Sequence, residues 1–408
     1  MADGGFSQFS IDLEMQVALI TAEQERNGFK LDIPHATECW QQITRRMQTI
    51  ENEMQELFPP IVTKRVSEKT GKPLKDHVEH FNVGSRQQVA KRLSTLGAVW
   101  TELTETGLPV VNEKTLEQQS IPEAAIVSEY FLLQKRAGLF DSWLKAVKDD
   151  GRVHGRVNTI GAITGRMTHS SPNMAQVPAV RAAWGKESRQ SFTVEEGNVL
   201  VGCDASGLEL RMLAHYVNDA EYTKQILEGD IHTFNQEMAG LETRDQAKTF
   251  IYALLYGAGD TKIGSITGHG AAKGKELKAN FAKGLPGYGR LVKQMKAASS
   301  TGKVKGLDGR MIRIRSEHAS LNTLLQGGGA IVMKVALVEA YKNLKAANIP
   351  FKIVANIHDE IQVETPAHFG KAVGMQIKKG IIATTEILKL NCPMDGEYKT
   401  GNNWMETH

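Results

Sequence analysis

The sequence has 408 residues, enough for several packed subdomains. Lysine and arginine number 49 against 46 aspartates and glutamates, and the net charge of +3 excludes a chain that is basic throughout, so any nucleic-acid track must be local. Cys39, Cys203 and Cys392 are widely spaced and form no metal-ligand pattern, which favours reduced thiols in a cytoplasmic protein. The polar first residues do not resemble a signal peptide, and no apolar run is expected to span a membrane.

The first part of the chain predicts long helices. Asp12 to Gly28 repeats apolar residues at helical spacing and then reaches an Asn-Gly stop. Pro34 to Leu57 reads as a second helix, and Ser85 is suited to cap a third. Ile121 to Val147 is a further helical stretch.

A basic connector follows the second helix. Its cations are Lys64, Arg65, Lys69, Lys72 and Lys75. A solvated loop and a contact with phosphates explain these charges equally well. The same two explanations hold for Lys135 and Arg136 in the later helix.

The segment from Gly151 to Pro178 changes character and is rich in Gly, Thr, Asn and His. By composition alone it is an ordinary polar loop. Arg166, Asn173 and Gln176 carry long hydrogen-bonding side chains within this loop.

A short apolar run, Val199-Leu-Val201, predicts a buried strand that ends at Asp204. Residues 205–207 predict a turn, and the residues after it have helical spacing. A carboxylate at a strand end is held rigidly and still faces solvent, which suits a metal ligand. A lone aspartate at a turn is more often a local cap.

The segment Thr243 to Gly259 predicts a helix with a functional face. Arg244, Lys248, Tyr252 and Tyr256 recur at every fourth position and therefore lie along one side. Two cations followed by two aromatic residues would meet a triphosphate first, and then a sugar and a base. The alternative for the cations is a soluble helix surface.

The segment Ile353 to Val363 predicts a β-hairpin whose tight turn carries His358-Asp-Glu360. Asp204 and Asp359 lie far apart in the sequence, so only the fold could bring them together. If they meet, they can hold two divalent ions about 3.5–4 Å apart, the arrangement that serves in-line phosphoryl transfer.

These three segments, in this order, resemble motifs A, B and C of the family A (DNA polymerase I-like) DNA polymerases. The resemblance is carried by Asp204-Ala-Ser-Gly-Leu-Glu-Leu-Arg211, by Arg244-x-x-x-Lys248-x-x-x-Tyr252-x-x-x-Tyr256-Gly257, and by His358-Asp-Glu360. The intervening sequence is most similar to the replicative polymerases of short-tailed phages, as in Gly229-Asp-Ile-His-Thr233 and Lys305-Gly-Leu-Asp-Gly-Arg310. The resemblance covers nearly the whole chain.

The resemblance implies an α+β right-hand fold with an antiparallel palm sheet, helical fingers and a helical thumb. It implies these divisions: an N-terminal segment packing on the palm (1–33), the thumb (34–147), the first part of the palm (148–216), the fingers (217–304) and the second part of the palm (305–408).

The resemblance also implies residue roles. Asp204, the backbone carbonyl of Ala205, and Asp359 would hold two Mg²⁺ ions, for which Mn²⁺ may substitute. Glu209 would exclude a ribose 2′-hydroxyl and hydrogen-bond Tyr256. The residues expected to bind the deoxynucleotide are Arg244, Lys248, His232, Tyr252, Glu209 and Tyr256, with Lys248 also a catalytic proton donor. The residues expected to bind DNA are Arg166, Asn173, Gln176, Asn322, Gln326 and His358.

The implied activity is template-directed addition of deoxynucleotides to a primer 3′-hydroxyl in the host cytoplasm. In most relatives a 3′→5′ exonuclease domain precedes the polymerase part, and only a short segment precedes it here, so this chain is not expected to proofread. The implied partners are primer-template DNA, deoxynucleoside triphosphates and a separate exonuclease or processivity subunit. The alternatives are a single-subunit RNA polymerase, against which Glu209 argues, and a catalytically silent DNA-binding protein.

Overall fold

Long helices alternate with short strands in residues 5–408, which the computed structural model describes. In these residues the helices are α1 (Gln8–Asn27), α2 (Ile33–Leu57), α3 (Arg86–Ser94), α4 (Glu113–Glu117), α5 (Pro122–Ala146), α6 (Gly185–Gln190), α7 (Leu208–Val217), α8 (Ala220–Glu228), α9 (Ile231–Ala239), α10 (Arg244–Leu255), α11 (Asp260–Ser265), α12 (Ala271–Gly284), α13 (Pro286–Thr301), α14 (Ser320–Ala346) and α15 (Gly370–Ile387). The strands are β1 (Phe29–Leu31), β2 (Ile61–Val66), β3 (Pro73–Glu79), β4 (Arg152–Val153), β5 (Arg156–Asn158), β6 (Thr168–Ser170), β7 (Phe192–Thr193), β8 (Asn198–Ala205), β9 (Lys303–Lys305), β10 (Met311–Arg313), β11 (Lys352–Ile357), β12 (Glu360–Pro366) and β13 (Gly396–Gly401).

A four-stranded antiparallel sheet in the order β11-β12-β8-β13 carries the two predicted acidic motifs. Successive side chains of a strand point to opposite faces. Val201 and Cys203 accordingly pack into the core that includes α14 and α15, whereas Leu200 packs with Phe192 and Trp404 on the other face. Because both faces are covered, the sheet presents functional groups at the ends of its strands.

The helices α2 and α5 pack on one another and form the region predicted as a thumb. The basic connector is not a loop here but the hairpin β2–β3, whose apolar residues Val62, Val66, Leu74 and Val78 are 45–59% exposed. At the base of the hairpin, Phe58 and Phe81 are buried and pack edge to face, with 5.1 Å between their ring centroids. The hairpin therefore projects from a rigid base.

Helices α8 to α13 form the region predicted as fingers. In α10 the buried side chains are Ala247, Phe250, Ile251, Leu254 and Leu255, which leaves the opposite side free. The helix begins with a capping box, in which the side chains of Thr243 and Gln246 each accept the other's backbone N–H.

The helix α14 is long and lies in the interior. With the short turn before it, Glu317–Ala346 is long and apolar enough to cross a membrane by length and composition. However, 83% of its apolar window is buried inside the fold, which is typical of a core helix. Near its middle, Lys334 forms an ion pair with Glu14 of α1, and Glu14 also pairs with Arg310 at 2.7 Å.

The α+β fold with an antiparallel sheet is confirmed. The strand, turn and helix at residues 198–217, the hairpin at residues 352–366 and the helix that begins at Arg244 all form where the sequence predicts them. The division into palm, fingers and thumb at the stated boundaries stays a prediction.

Candidate active site

The sheet brings the two acidic motifs together. Asp204 lies directly opposite Glu360 in the register of β8 and β12. At the same strand end, the backbone N–H of Ala205 donates to the carbonyl oxygen of Asp359 at 2.9 Å. The turn between β11 and β12 is completed by His358, which has a left-handed backbone with φ of 58°.

A cluster of possible metal ligands lies at this strand end. One ligand atom each from Asp204, Glu360 and His408 lies within 4.8 Å of the others. Asp359 is half-buried at the adjacent turn, and its own oxygens are not part of that cluster. Carboxylate oxygens are the ligands that hard divalent cations prefer.

The electrostatics of the two aspartates fit a site for cations. Burial, with the neighbouring charges of Glu360 and Asp359, raises the pKa of Asp204 to about 7. Burial and the charge of Glu209 raise the pKa of Asp359. Negative charge is therefore concentrated here beyond what the protein's own cations neutralise, and a bound divalent ion would relieve it.

Glu360 has a different environment from Asp204. Its carboxylate accepts hydrogen bonds from the indole Nε1 of Trp404 at 2.7 Å and from the side chain of Gln362. His408 and Arg189 lie 3.5 and 3.7 Å away. Burial raises the pKa of Glu360, but these partners outweigh burial and bring it below its ordinary value.

The helix α7 places Glu209 near Tyr252 of α10 and near Tyr256, the residue that ends this helix. The hydroxyl of Tyr256 donates to the carboxylate of Glu209 at 3.1 Å, and the guanidinium of Arg166 lies 3.7 Å from the same carboxylate. Burial and the charge of Glu209 raise the pKa values of Tyr252 and Tyr256. Glu209 therefore lies between the turn with Asp359 and the helix α10.

The four residues predicted along one face of α10 do lie away from its buried side. Arg244, Lys248 and Tyr256 are exposed and Tyr252 is half-buried. His232 of α9 joins them, since its ring centroid is 6.3 Å from that of Tyr252. Burial and the charges of Arg244 and Lys248 lower the pKa of His232. This face therefore concentrates positive charge.

The residues predicted to contact DNA lie in four places, of which the loop with Arg166 and the turn with His358 are described above. Gln176 is exposed and Asn173 half-buried beside a cleft of about 370 Å³ that Lys135 of α5 also lines. Asn322 and Gln326 are half-buried on the first turns of α14. Gly257, in a left-handed conformation, lies against Asn322, which brings the end of α10 next to α14.

Several neighbours of the site were given no role from the sequence. Trp404, His408 and Arg189 surround Glu360, and Asp230 pairs with Arg244. Arg136 is buried and donates to the carbonyl oxygen of Ala183 at 2.9 Å, so it is not on a solvated face. The only local signal for Asp230 was its suitability as a helix cap before Ile231.

A sheet with acidic side chains at a strand end, near a helix that carries cations and tyrosines, combines the groups that phosphoryl transfer uses. The family model of DNA polymerase family A matches residues 43–406. The chain belongs to DNA polymerase family A, and the prediction of a polymerase enzyme of this family is confirmed.

Individual relatives agree. The DNA-directed DNA polymerase of Enterobacteria phage T3 is 36% identical over 505 aligned positions, which cover 100% of this chain and 72% of that protein. The corresponding enzyme of Escherichia phage T7 is 35% identical with the same coverage. The polymerase domain of Pol1 from M. smegmatis was solved in complex with a DNA primer-template and dNTP. It superimposes with a TM-score of 0.84 over 97% of this chain and 70% of that one, at 21% identity, and therefore shares the fold.

Proposed function

We propose that the protein is a template-directed DNA polymerase that adds deoxynucleotides to a primer 3′-hydroxyl. The observation that carries this proposal is the meeting of Asp204 and Asp359, through the hydrogen bond from Ala205, at a strand end beside the cationic face of α10. Such a pair of acids opposite bound phosphates is what in-line phosphoryl transfer needs.

The proposed reaction joins the primer 3′-oxygen to the α-phosphorus and breaks the bond between that phosphorus and the oxygen bridging to the β-phosphate. Two Mg²⁺ ions, or Mn²⁺, held by Asp204, Asp359 and the carbonyl of Ala205, would lower the pKa of the 3′-hydroxyl, which loses its proton to water, and would neutralise charge on the phosphates. Arg244 and His232 would neutralise the triphosphate. Lys248, which is exposed, would bind it and give a proton to the leaving pyrophosphate.

The proposed sugar and base contacts follow from α7 and α10. The contact between Glu209 and Tyr256 supports a site in which Glu209 fills the space that a 2′-hydroxyl would need. Tyr252 would pack against the deoxyribose, and Tyr256 would occupy the place of the templating base until that base arrives.

The proposed DNA path runs from the cleft between α5 and residues 172–176 toward the acidic strand end. Arg166, Asn173 and Gln176 would contact the DNA minor groove, where the hydrogen-bond acceptors of all base pairs are alike. Asn322 and Gln326 would contact the template and primer from α14, and His358 the primer terminus. Primer-template DNA and deoxynucleotides would be the partners, in the cytoplasm, with a separate exonuclease or processivity subunit where replication requires one.

The proposal is tested by extending a labelled primer-template with Mg²⁺ and deoxynucleotides. The wild-type chain should extend the primer, and Asp204→Ala and Asp359→Ala should abolish extension. Glu386→Ala is the matched control, because it removes an exposed carboxylate from α15, and it should extend normally.

Other results would point elsewhere. A preference for ribonucleotides would favour an RNA polymerase, and DNA binding without any extension would favour a silent binding protein. Shortening of the labelled primer without nucleotides would contradict the expectation of a chain without exonuclease activity.

A further inference from the structure

Asp230 lies at the point where two helices begin. It is the N-cap of α9, and its carboxylate accepts from the backbone N–H groups of His232 at 3.1 Å and Thr233 at 3.4 Å. The hydroxyl of Thr233 donates to it at 2.9 Å. The carboxylate is therefore fixed by its own helix.

The same carboxylate holds Arg244, the first residue of α10. The guanidinium donates through Nε at 2.6 Å and through Nη2 at 3.1 Å, one bond to each carboxylate oxygen. A bidentate pair of this kind fixes orientation as well as distance. Arg244 is otherwise exposed, and its long side chain would sample many rotamers without this partner.

Asp230 thus contacts two of the three residues proposed to bind the triphosphate. It contacts the side chain of Arg244 and the backbone of His232 together. Lys248, the third group, is exposed and makes no ion pair within residues 5–408. The guanidinium of Arg244 is therefore fixed relative to the first turn of α9, which carries His232, whereas Lys248 has no such partner within residues 5–408.

The pairing leaves Arg244 able to bind an anion. A guanidinium has five N–H donors, and Asp230 uses one on Nε and one on Nη2. The two donors on Nη1 and the second donor on Nη2 stay free on the other edge, which matches the spacing of two phosphate oxygens. The charge of Asp230 is offset by Arg244 and by the N-terminal end of α9.

We propose that Asp230 is a positioning residue for the incoming nucleotide, which acts through Arg244 by holding the free edge of its guanidinium toward the triphosphate. The proposal rests on the proposed function, since it assigns a new residue to the same site. Asp230 itself does not touch the nucleotide.

The test compares Asp230→Asn, Arg244→Ala and the double variant in single-nucleotide extension of a primer-template. Asparagine keeps a side-chain oxygen for the cap of α9 and removes the charged bidentate pair. We expect the KM for the complementary dNTP to rise about two- to fivefold, the size of an exposed ion pair, while kcat at saturating dNTP is unchanged. The rise should shrink at high salt.

The double variant separates positioning from a structural effect. If Asp230 acts through Arg244, Asp230→Asn should add nothing to the KM of Arg244→Ala. The matched control is Asp219→Asn, because Asp219 caps α8 by accepting from Tyr222 N–H at 2.9 Å and has no arginine partner within residues 5–408. It should leave KM unchanged.

Three outcomes would overturn the inference. A lower KM in Asp230→Asn would mean that Asp230 competes with the nucleotide for Arg244. An equal rise in the presence and absence of Arg244 would mean that only the helix cap matters. An unchanged KM in Asp230→Asn, with normal extension by the wild type, would exclude positioning and leave the proposed function intact.

Two further results complete the test. Thermal unfolding shows whether Asp230→Asn folds. If it does not, Asp230→Ser, which keeps a helix cap, takes its place in the comparison of single and double variants with Arg244→Ala. Failure of the wild-type chain to extend any primer would overturn the proposed function and this inference together.

Discussion

Asp204 and Glu360 face each other across β8 and β12, yet their pKa values are shifted in opposite directions. Burial raises the pKa of Glu360, but His408, the hydrogen bond from Gln362 and the charge of Arg189 lower it by more, so that the charged form is favoured. Trp404 also donates a hydrogen bond to this carboxylate. Asp204 has burial and the charges of other carboxylates around it, so its charged form is disfavoured. Glu360 is therefore stabilised in its charged form by its protein partners, whereas the charged form of Asp204 would be stabilised by a bound cation.

Stability without divalent ions should fall as the pH rises through the range in which Asp204 ionises. The pKa of Asp204 is raised from 3.8 to about 7 in the folded state, so the folded protein binds this proton more tightly than the unfolded chain does. The contribution of this proton to the free energy of unfolding is complete below pH 3.8 and is lost by about pH 7. Asp204→Asn should remove this part of the pH dependence. Thermal unfolding in EDTA from pH 4 to 8 measures it, and parallel curves for the two proteins would contradict it.

The same measurement with Mg²⁺ tests cation binding. Mg²⁺ should raise the Tm more at pH 8 than at pH 5, because ionised carboxylates bind it and protonated ones do not. The increase should disappear in Asp204→Asn. An equal increase in both proteins would place the ion elsewhere.

Replacement of Glu209 should weaken the discrimination against ribonucleotides. Glu209→Ala opens the space beside Tyr256, and we expect the ratio of kcat/KM for deoxy- over ribonucleotides to fall about 10- to 100-fold. Tyr256→Phe removes only the 3.1 Å hydrogen bond and should have a smaller effect. An unchanged ratio in Glu209→Ala would exclude the steric role.

Trp404→Phe should destabilise the fold. The substitution leaves the buried carboxylate of Glu360 without its 2.7 Å donor and weakens the stacking of Arg189, now 4.5 Å from the indole ring. The expected decrease in the free energy of unfolding is about 1–3 kcal/mol, measured by urea denaturation. Trp100→Phe, which changes a half-buried indole in the region predicted as the thumb, is the control and should decrease the free energy of unfolding less.

The hairpin β2–β3 should contribute to DNA affinity without contributing to catalysis. Alanine at its cations should weaken binding of duplex DNA and reduce the slope of log K against log salt by about 0.9 for each phosphate that is no longer neutralised. The cations to replace are Lys64, Arg65, Lys69, Lys72 and Lys75. The rate at saturating DNA and the Tm should not change, because the hairpin projects into solvent.

A matched control for the hairpin is available on α15. Lys371 and Lys379 are exposed and make no ion pair within residues 5–408, and their replacement by alanine should leave the salt slope unchanged. An unchanged slope in the hairpin variant would show that its charges are a solvated surface.

Much of the site could be predicted because its signals are local. The apolar strand before Asp204, the hairpin around Asp359 and the spacing of Arg244 and Lys248 each lie within one short segment. Each of these segments folds as its pattern predicts. The resemblance to a family then linked segments that no periodicity could connect.

The surroundings of the site could not be predicted because they depend on contacts between distant segments. Glu360 was predicted to lie in the turn of the hairpin, but its partners include Trp404 and Arg189, which lie far from it in the sequence. The pairing of Asp230 with Arg244 joins the starts of two helices. The hairpin β2–β3 lacks a regular alternation of polar and apolar residues, which is why it read as a loop.

The order of strands in the central sheet has a consequence for how the protein is made. β8 is an inner strand whose two neighbours, β12 and β13, both come from the last part of the sequence. During synthesis, Asp204 leaves the ribosome long before either neighbour exists, and pairings of such long sequence separation form slowly. This end of the sheet is thus completed late in synthesis, and a nascent chain interrupted before Asp359 carries both cations of α10 but lacks one of the two proposed metal ligands.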